Sequence, residues 1–169
     1  MRKLILFIFF IIYSTLSAID LNLPVSALQN ATSGLVLLYP EPSASTVNPA
    51  LNNPGIITSA TYLYGLKDLP CYNIHSALRY KDFGFYLGNS LLDHPLCREN
   101  CSNAGFSYHY QNLSAGIGLR WLYNRVENYH EDSSIITDFG SKWVNGKIQT
   151  GFSIRNISQS SFMDMKLPV

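Results

Sequence analysis

The stretch "HPLCRENC" concentrates the side chains of this chain that are best suited to chemistry. His94 stands three residues before Cys97, and Cys101 follows Cys97 by four residues. Thiolate and imidazole groups at short spacing are zinc ligands, and Cys71 and His109 are able to complete a tetrahedral set. The Cys-x3-Cys spacing is looser than the paired spacing typical of zinc sites. In an exported chain a disulfide between Cys97 and Cys101 is favoured over free thiols, and free thiols over a metal, so we predict neither a metal nor a cofactor.

The sequence contains no set of residues with the spacing of a catalytic site. Asp138, Phe139 and Gly140 spell the kinase tripeptide, but the glycine-rich loop, strand lysine and His-Arg-Asp sequence of a kinase do not accompany it. A Gly-x-Ser-x-Gly elbow, a Ser-His-Asp order and carboxylates paired at a catalytic spacing are also missing. We therefore predict that the protein is not an enzyme.

Charged and polar side chains recur at alternate positions of apolar stretches, which places them on one face of the predicted strands. They would either line an interior, where they pair across strands or bind a polar solute, or lie on a solvated sheet face. The pattern is compatible with both interpretations. The candidate residues are His75, Arg79, Arg120, Asp138, Lys142, Lys147 and Arg155.

Period-two alternation of apolar and polar residues is the main structural signal after Thr58. In the stretch "GKIQTGFSIRNIS", Ile148, Thr150, Phe152 and Ile154 would point one way and the residues between them the other. Similar alternation recurs about seven times, and no amphipathic helix competes with it. We therefore predict an all-β chain of antiparallel strands.

The predicted connections between strands are of two kinds. "KDFG" at 81–84 and "VNGK" at 144–147 are tight-turn signals, and Asn145-Gly146 suits the positive φ angles of a two-residue hairpin. The segments Leu91–Ala104 and Glu127–Ser134 are predicted as longer polar loops. Short turns alternating with long loops are typical of an up-and-down antiparallel barrel with two unlike ends.

The N-terminus has the pattern of a Sec-type signal peptide, predicted for residues 1–18. Arg2 and Lys3 precede an uncharged apolar run that ends in small residues, and we expect cleavage after Ala18. The run is shorter than the roughly 20 residues of a spanning helix, so a retained anchor is the less favoured alternative. Since the chain is expected to leave the cytoplasm, lipid becomes a candidate neighbour.

Residues 19–57 predict an irregular lead-in before the strands of residues 58–169. Pro40, Pro42, Pro49 and Pro54 argue against a long helix or a central strand, and we expect one helical turn near Asn48 to Leu51. Only 14% of the whole chain is charged, against about 25% for an average soluble domain. The formal net charge of +1 implies no nucleic-acid partner.

Three features favour a membrane barrel over a secreted or periplasmic β-sandwich that binds a partner. Aromatic residues such as Tyr110, Trp121 and Trp143 lie near strand ends, as in the girdles of outer-membrane barrels. The opposite face is rich in glycine with isolated Arg and Lys, which suits a lumen. Leu113–Tyr123 and Lys147–Ile157 have the length of a tilted transmembrane strand, about 9–11 residues. The sandwich remains the alternative, because one apolar face is common to both folds.

Two further stretches resemble the PorV/PorQ-type outer-membrane proteins, bacterial barrels related in architecture to the FadL long-chain fatty-acid transporters. "VNPALNNPG" at 47–55 is similar to their Asn-Pro-Ala-Gly motif, with Leu51 where the family usually has glycine. "TDFGSKW" and "GKIQTGFSIRNIS", within 137–158, are similar to their Asp-Leu-Gly hairpin and the glycine-rich strand after it. The resemblance covers roughly residues 45–160.

The resemblance implies an outer-membrane barrel whose N-terminal segment plugs the lumen, with Asn48, Pro49 and Ala50 forming the anchoring turn of the plug. It also implies transport of an apolar or polar solute, or a role in type IX secretion beside components of that system. An ordinary Asx-Pro turn is the alternative for the motif. Family members have more strands than this chain, and bacterial barrels close with an even number. We therefore expect an incomplete barrel, either truncated, which is favoured, or completed by oligomerisation.

Overall fold

The computed structural model describes residues 41–128, 130–162 and 165–166, so the predicted signal peptide and most of the predicted lead-in lie outside the described residues. The fold is all-β, and two short 3₁₀ helices, Pro42–Thr46 and Leu63–Gly65, accompany the strands. The strands are β1 (Gly55–Tyr62), β2 (Pro70–Tyr80), β3 (Phe83–His94), β4 (Cys97–Tyr110), β5 (Leu113–Val126), β6 (His130–Asn145), β7 (Ile148–Ile154), β8 (Ser161–Phe162) and β9 (Met165–Lys166).

The first seven strands form one sheet in chain order, and every neighbouring pair is antiparallel. The sheet curls into a half-barrel. Strands β8 and β9 form a separate two-stranded sheet. The prediction of an all-β, up-and-down antiparallel sheet is confirmed, because the period-two alternation in the sequence becomes the alternation of the two faces of each strand.

Three two-residue turns lie at one end of the sheet, which we call the short-turn end. They are Lys81–Asp82, Gln111–Asn112 and Gly146–Lys147. Lys81, Gln111 and Gly146 adopt positive φ angles, as tight hairpins require. The predicted second turn is shifted by one residue, because Asn145 still pairs with Ile148. The opposite end, which carries the other connections, is called the far end.

The two predicted long loops are wrong. The pairing of β3 with β4 continues to His94 and Cys97, and β6 already begins at His130. Polar residues suggested loops here, but in the sheet they bond to one another. The Asn89 side-chain amide donates to Asn100 Oδ1 and to Ser102 Oγ, both at 2.9 Å. Polar groups with cross-strand partners do not interrupt a strand.

The two faces of the sheet have opposite polarity. The inner face, defined as the face contacted by residues 41–54, buries mostly polar side chains together with a few apolar ones, Ala77, Leu92, Leu122 and Ile136. Within residues 41–54, Ala44 and Leu51 form a small buried cluster with Val47 packed against them. The outer face presents large apolar side chains that are exposed. They include Ile56, Tyr72, Ile74, Leu78, Tyr80, Phe85, Leu87, Tyr108, Tyr110, Ile117, Leu119, Trp121, Ile135, Phe139, Trp143, Ile148 and Phe152. Among the described residues, no helix is long and apolar enough to cross a membrane.

Candidate functional site: the inner face and its inserted segment

Residues 41–54, named here the inserted segment, lie against the inner face of the sheet. The segment begins with the 3₁₀ helix, in which Ser45 and Thr46 hydroxyls donate to backbone carbonyls three residues earlier. The 3₁₀ helix lies before the predicted helical turn near Asn48 to Leu51, but a single hydrogen-bonded turn is also found there, closed by the Leu51 N–H donating to the Asn48 carbonyl at 2.8 Å. Pro49 and Pro54 prevent a longer helix after Thr46.

Asn48 anchors the inserted segment to the sheet. Its side-chain nitrogen donates to the carbonyls of Ser141 on β6 and Phe152 on β7, at 3.1 and 3.2 Å. Its side-chain oxygen accepts the backbone N–H of Ala50 at 2.9 Å, which forms an Asx turn. Only an amide supplies two donated bonds and one accepted bond at this point, so an Asp would lose the contacts to both strands.

A row of small residues across β3 to β6 makes room for the inserted segment. Gly84, Ser107, Gly116 and Gly140 are aligned by the register of these strands. A methyl group on Gly140 would collide with Asn48, one on Gly116 with the Pro49 backbone, and one on Gly84 with Asn52. Asn52 is held there by a 3.0 Å bond from its amide to the Phe85 carbonyl. The segment therefore runs across the strands in a channel of small residues.

A second row accommodates the Tyr86 ring. Gly105 and Gly118 lie on the next two strands at the same level, and a methyl group on either would collide with this ring. The sequence suggested that glycines merely reduce bulk in a lumen. The structure shows that each of these glycines lies beneath a particular side chain or backbone segment.

Arg120 and Asp138 form a buried ion pair on the inner face. Arg120 Nε lies 2.6 Å from Asp138 Oδ2, and Nη2 lies 3.1 Å from Oδ1, so the contact is bidentate. The Asn156 backbone N–H also donates to Asp138 Oδ1 at 3.0 Å. The side chains are only 10% and 6% exposed. Charge-assisted bonds of this kind offset much of the desolvation cost of burying both ions.

His75 and Asn103 form a buried polar cluster beside this ion pair, since Asn103 pairs with Arg120 in the register. His75 is 1% exposed and lies over Gly88, close to the Asn103 side-chain oxygen. Within the described part of the chain, neither ring nitrogen of His75 has a hydrogen-bond partner, nor has Asn103 Oδ1. A buried polar group without a hydrogen-bond partner destabilises the fold, so these atoms are suited to bind a solute or an ordered water. The sequence analysis missed Asn103 because it lies in the polar stretch Leu91–Ala104, which was predicted as a loop.

The other predicted interior residues do not join this cluster. Arg79 is exposed and bonds through Nε to the Lys81 carbonyl at 3.2 Å. Lys142 is half-buried near the short-turn end, and Lys147 is exposed in the last turn. Arg155 is half-buried just after β7. Of the seven predicted residues, the structure therefore buries His75, Arg120 and Asp138 on the inner face.

The proposed Cys97–Cys101 disulfide is not compatible with the fold. Both residues lie on β4, four positions apart, and an extended strand separates their Cα atoms by about 13 Å. A disulfide needs roughly 4.4–6.8 Å. Cys71, Cys97 and Cys101 are free thiols. No cluster of three or more His, Cys, Asp or Glu side chains that could hold a metal occurs among the described residues.

Glu99 lies on the inner face near the far end, between these cysteines. Burial raises the pKa of its carboxyl group above the ordinary value. The Asn124 amide donates to this carboxyl at 3.4 Å. The group adds a titratable carboxyl to the far end, where the free thiols of Cys97 and Cys101 lie two positions away on the same face of β4.

Comparison of this chain with protein-family models, curated proteins and solved structures found no match.

Proposed function

We propose that this chain is an outer-membrane β-barrel protein that handles a polar solute, with the seven-stranded sheet as one arc of the barrel and the inserted segment as its plug. The inverted polarity of the sheet is the observation that supports this most strongly. Leu119 is 52% exposed on the outer face, while its neighbour Arg120 is 8% exposed on the inner face. In water this arrangement is unfavourable, but in lipid the apolar face is solvated and the polar face is enclosed.

The size of the outer apolar face fits a membrane. Leu113–Tyr123 on β5 spans about 33 Å along the strand. At a tilt near 40° this corresponds to a height of about 25 Å, the height of the apolar band of outer-membrane barrels. On β3 and β4 the outer residues are already polar at the level of Trp121, as at Asn89 and Ser102, and beyond Tyr123 they are charged, as at Asp93, Arg98 and Arg125. The apolar face therefore ends where a membrane surface would lie.

Aromatic side chains lie at both borders of this face. Tyr80, Tyr110 and Trp143 are exposed close to the short-turn end. Tyr72 and Trp121 are exposed toward the far end. Tyr and Trp at both levels suit the two interfaces of a bilayer, because their rings combine an apolar body with a polar atom.

The alternative, a secreted β-sandwich that binds a partner, requires a second sheet against the apolar face. Strands β8 and β9 form the only second sheet in the described ranges, and each has two residues. Two such strands are far too small to cover the outer face of seven. The exposed apolar residues therefore favour the barrel.

The inner face favours a polar solute over an apolar one. His75, Asn103, Arg120 and Asp138 are buried there, and the inserted segment covers the adjacent glycine row. Together with the resemblance to PorV/PorQ-type proteins, this supports two roles for the barrel: passage of a polar solute past a movable plug, or service to the type IX secretion machinery.

Membrane fractionation tests the proposal. The protein should remain in the carbonate-washed outer-membrane fraction and migrate differently on gels before and after boiling. A soluble periplasmic or secreted product with no heat-dependent shift would contradict the barrel and would favour the sandwich.

A further inference from the structure

The outer apolar face contains a groove of about 590 Å³, a size within the roughly 300–1,000 Å³ of small-molecule sites. Its central part lies on β4, where the outer residues Ser102 and Ala104 have small side chains. Leu87 on β3 and Leu119 on β5 pair with Ala104 in the register and flank it. The groove therefore offers a mostly apolar surface at membrane depth, with room between larger side chains.

The outer residues of β4 and β5 change from apolar to polar to cationic toward the far end. The register pairs Ala104 with Leu119, Ser102 with Trp121, Asn100 with Tyr123 and Arg98 with Arg125. Successive pairs are two residues apart, which is about 7 Å along the strand and about 5 Å in depth at a tilt near 40°. A membrane lipid presents its own groups in this order, from the acyl chain through the ester linkage to the phosphate.

The polar level retains hydrogen-bond donors that the protein does not use. Asn89 donates to Asn100 Oδ1 and to Ser102 Oγ, and Ser102 Oγ also donates to Asn100 Oδ1 at 3.1 Å. These three bonds use the Asn100 oxygen, while its amide nitrogen donates to no group within the described ranges. An unsatisfied donor is unfavourable beside lipid, and the ester carbonyl of a lipid is an acceptor at this depth.

The cationic level consists of Arg98 and Arg125, which are exposed and directly opposite each other. Like charges in this arrangement are destabilising unless an anion lies between them. Asp93 lies 3.7 Å from Arg98 in an exposed pair, which is a weak contact. Arg125 is opposite Glu131 in the register but forms no ion pair in the described part of the chain.

The space around the two arginines also suits a headgroup. A pocket of about 430 Å³ opens beside them and is lined by Asp93, Leu96 and Glu127 as well. A phosphate accepts charge-assisted hydrogen bonds from two guanidinium groups, and basic residues at a membrane surface recognise anionic headgroups in this way.

Resting on the membrane location proposed above, we propose that this groove binds one phosphate-bearing membrane lipid. An acyl chain lies in the groove over Ala104, the ester carbonyl accepts from the Asn100 amide, and the phosphate lies between Arg98 and Arg125. An uncharged lipid lacks the group that the arginines bind, and inorganic phosphate lacks the chain that fills the groove. Both should therefore bind more weakly than the phosphate-bearing lipid.

Tryptophan fluorescence tests the proposal, because Trp121 lines the groove and Trp143, the other tryptophan of the chain, lies near the short-turn end. The full chain is extracted from outer membranes in dodecyl maltoside with Trp143→Phe, so that Trp121 alone reports. It is titrated with phosphatidic acid or diacylglycerol that carry the same brominated acyl chains, which quench nearby indoles. Phosphatidic acid should half-quench Trp121 at about one tenth of the diacylglycerol concentration. With Trp121→Phe instead, Trp143 should show no such preference.

Variants assign the preference to the proposed groups. Arg98→Gln combined with Arg125→Gln should remove the preference for phosphatidic acid. Lys81→Gln combined with Lys147→Gln, which removes two exposed charges at the short-turn end, is the matched control and should retain it. Ala104→Phe should weaken quenching of Trp121 by both lipids, because the ring fills the groove. The heat-dependent gel shift identifies folded protein in every case.

Several outcomes would overturn the lipid site. Equal quenching of Trp121 by both lipids, or a preference that survives the loss of both arginines, would show that the phosphate is not recognised. Displacement of phosphatidic acid by an equal concentration of inorganic phosphate would show a free-anion site instead. These results come from protein with the heat shift, so they leave the outer-membrane function intact. A soluble product in the fractionation would contradict that function and the lipid site together.

Discussion

The two faces of strand β5 illustrate how differently the outer and inner sides of this sheet are specified. On the outer side, Ile117 and Leu119 are 50% and 52% exposed. On the inner side, Gly116 lies beneath Pro49 and Arg120 is paired with Asp138. The outer side therefore requires an apolar character, whereas the inner side requires particular residues. We expect the two sides to differ in the substitutions they tolerate.

The largest expected effect is on the inner side, at the buried ion pair. Asp138→Asn should reduce the free energy of unfolding by about 3–5 kcal/mol, because Arg120 keeps its charge without a buried counter-ion. The matched control is Asp93→Asn, since Asp93 and Arg98 form an exposed pair at 3.7 Å. That change should cost less than about 1 kcal/mol. Urea unfolding of the purified protein followed by tryptophan fluorescence measures both, and equal effects would contradict the distinction between the pairs.

The next largest effect tests whether the outer side faces lipid or water. Leu119→Arg should reduce the free energy of unfolding by about 2–4 kcal/mol if this side faces lipid. On a water-exposed surface the same substitution should change the free energy of unfolding by less than about 0.5 kcal/mol. Ser133→Arg, on the outer side of β6 at the far border of the apolar band, where Ser133 pairs with Tyr123, is the control and should reduce stability by no more than about 1 kcal/mol. The amount of heat-shifted protein in outer membranes reports the result, and a harmless Leu119→Arg would argue against lipid.

A smaller effect is expected from adding one methyl group beneath the inserted segment. Gly116→Ala should reduce the free energy of unfolding by about 1–3 kcal/mol, because the added Cβ collides with the Pro49 backbone, which cannot rotate away. Ala115→Val adds bulk at the neighbouring outer position and should be nearly neutral. The measurement is the midpoint of urea unfolding for both variants. A tolerated Gly116→Ala would mean that the inserted segment does not rest on the glycine row.

Asn48→Asp tests the anchor itself. The variant loses two donated hydrogen bonds, to Ser141 and Phe152, worth about 1–2 kcal/mol together. The inserted segment should then be cleaved faster by protease while the strands remain resistant. Asn53→Asp is a control from the same segment, since Asn53 donates a single 3.3 Å bond to the Glu41 carbonyl. Unchanged cleavage in Asn48→Asp would contradict an anchoring role.

The smallest effect concerns pH at the far end. Burial raises the pKa of Glu99 in the folded chain, so the folded state holds this proton more tightly than the unfolded state. Stability is therefore lost as pH rises from the unfolded pKa through the folded one. Glu99→Gln should remove this loss and stabilise the protein by less than about 1 kcal/mol at pH 8, with no gain at pH 4. The thermal midpoints of the two proteins at pH 4 and pH 8 measure this difference in stability. A stabilisation by Glu99→Gln at pH 4 alone would contradict the prediction.

The sequence by itself determined the features that depend on local pattern. Period-two alternation predicted the strands, and it assigned Phe152 and Ile154 to one face and Arg120 and Asp138 to the other, as the register shows. Tight turns were also predicted from the sequence, because their positive φ angles favour a few residue types. The long hairpins were missed, since cross-strand bonds between polar residues such as Asn89 and Asn100 are not visible in one sequence.

Only the tertiary structure decided which residues meet. The register of β5 and β6 brings Arg120 to Asp138, and the path of the inserted segment sets Asn48 and Pro49 over Gly140 and Gly116. The extended conformation of β4 keeps Cys97 and Cys101 apart. A sequence pattern reports the face on which a side chain lies, because that depends on its own strand. Its partner depends on the alignment of distant strands, which arises only when the sheet assembles.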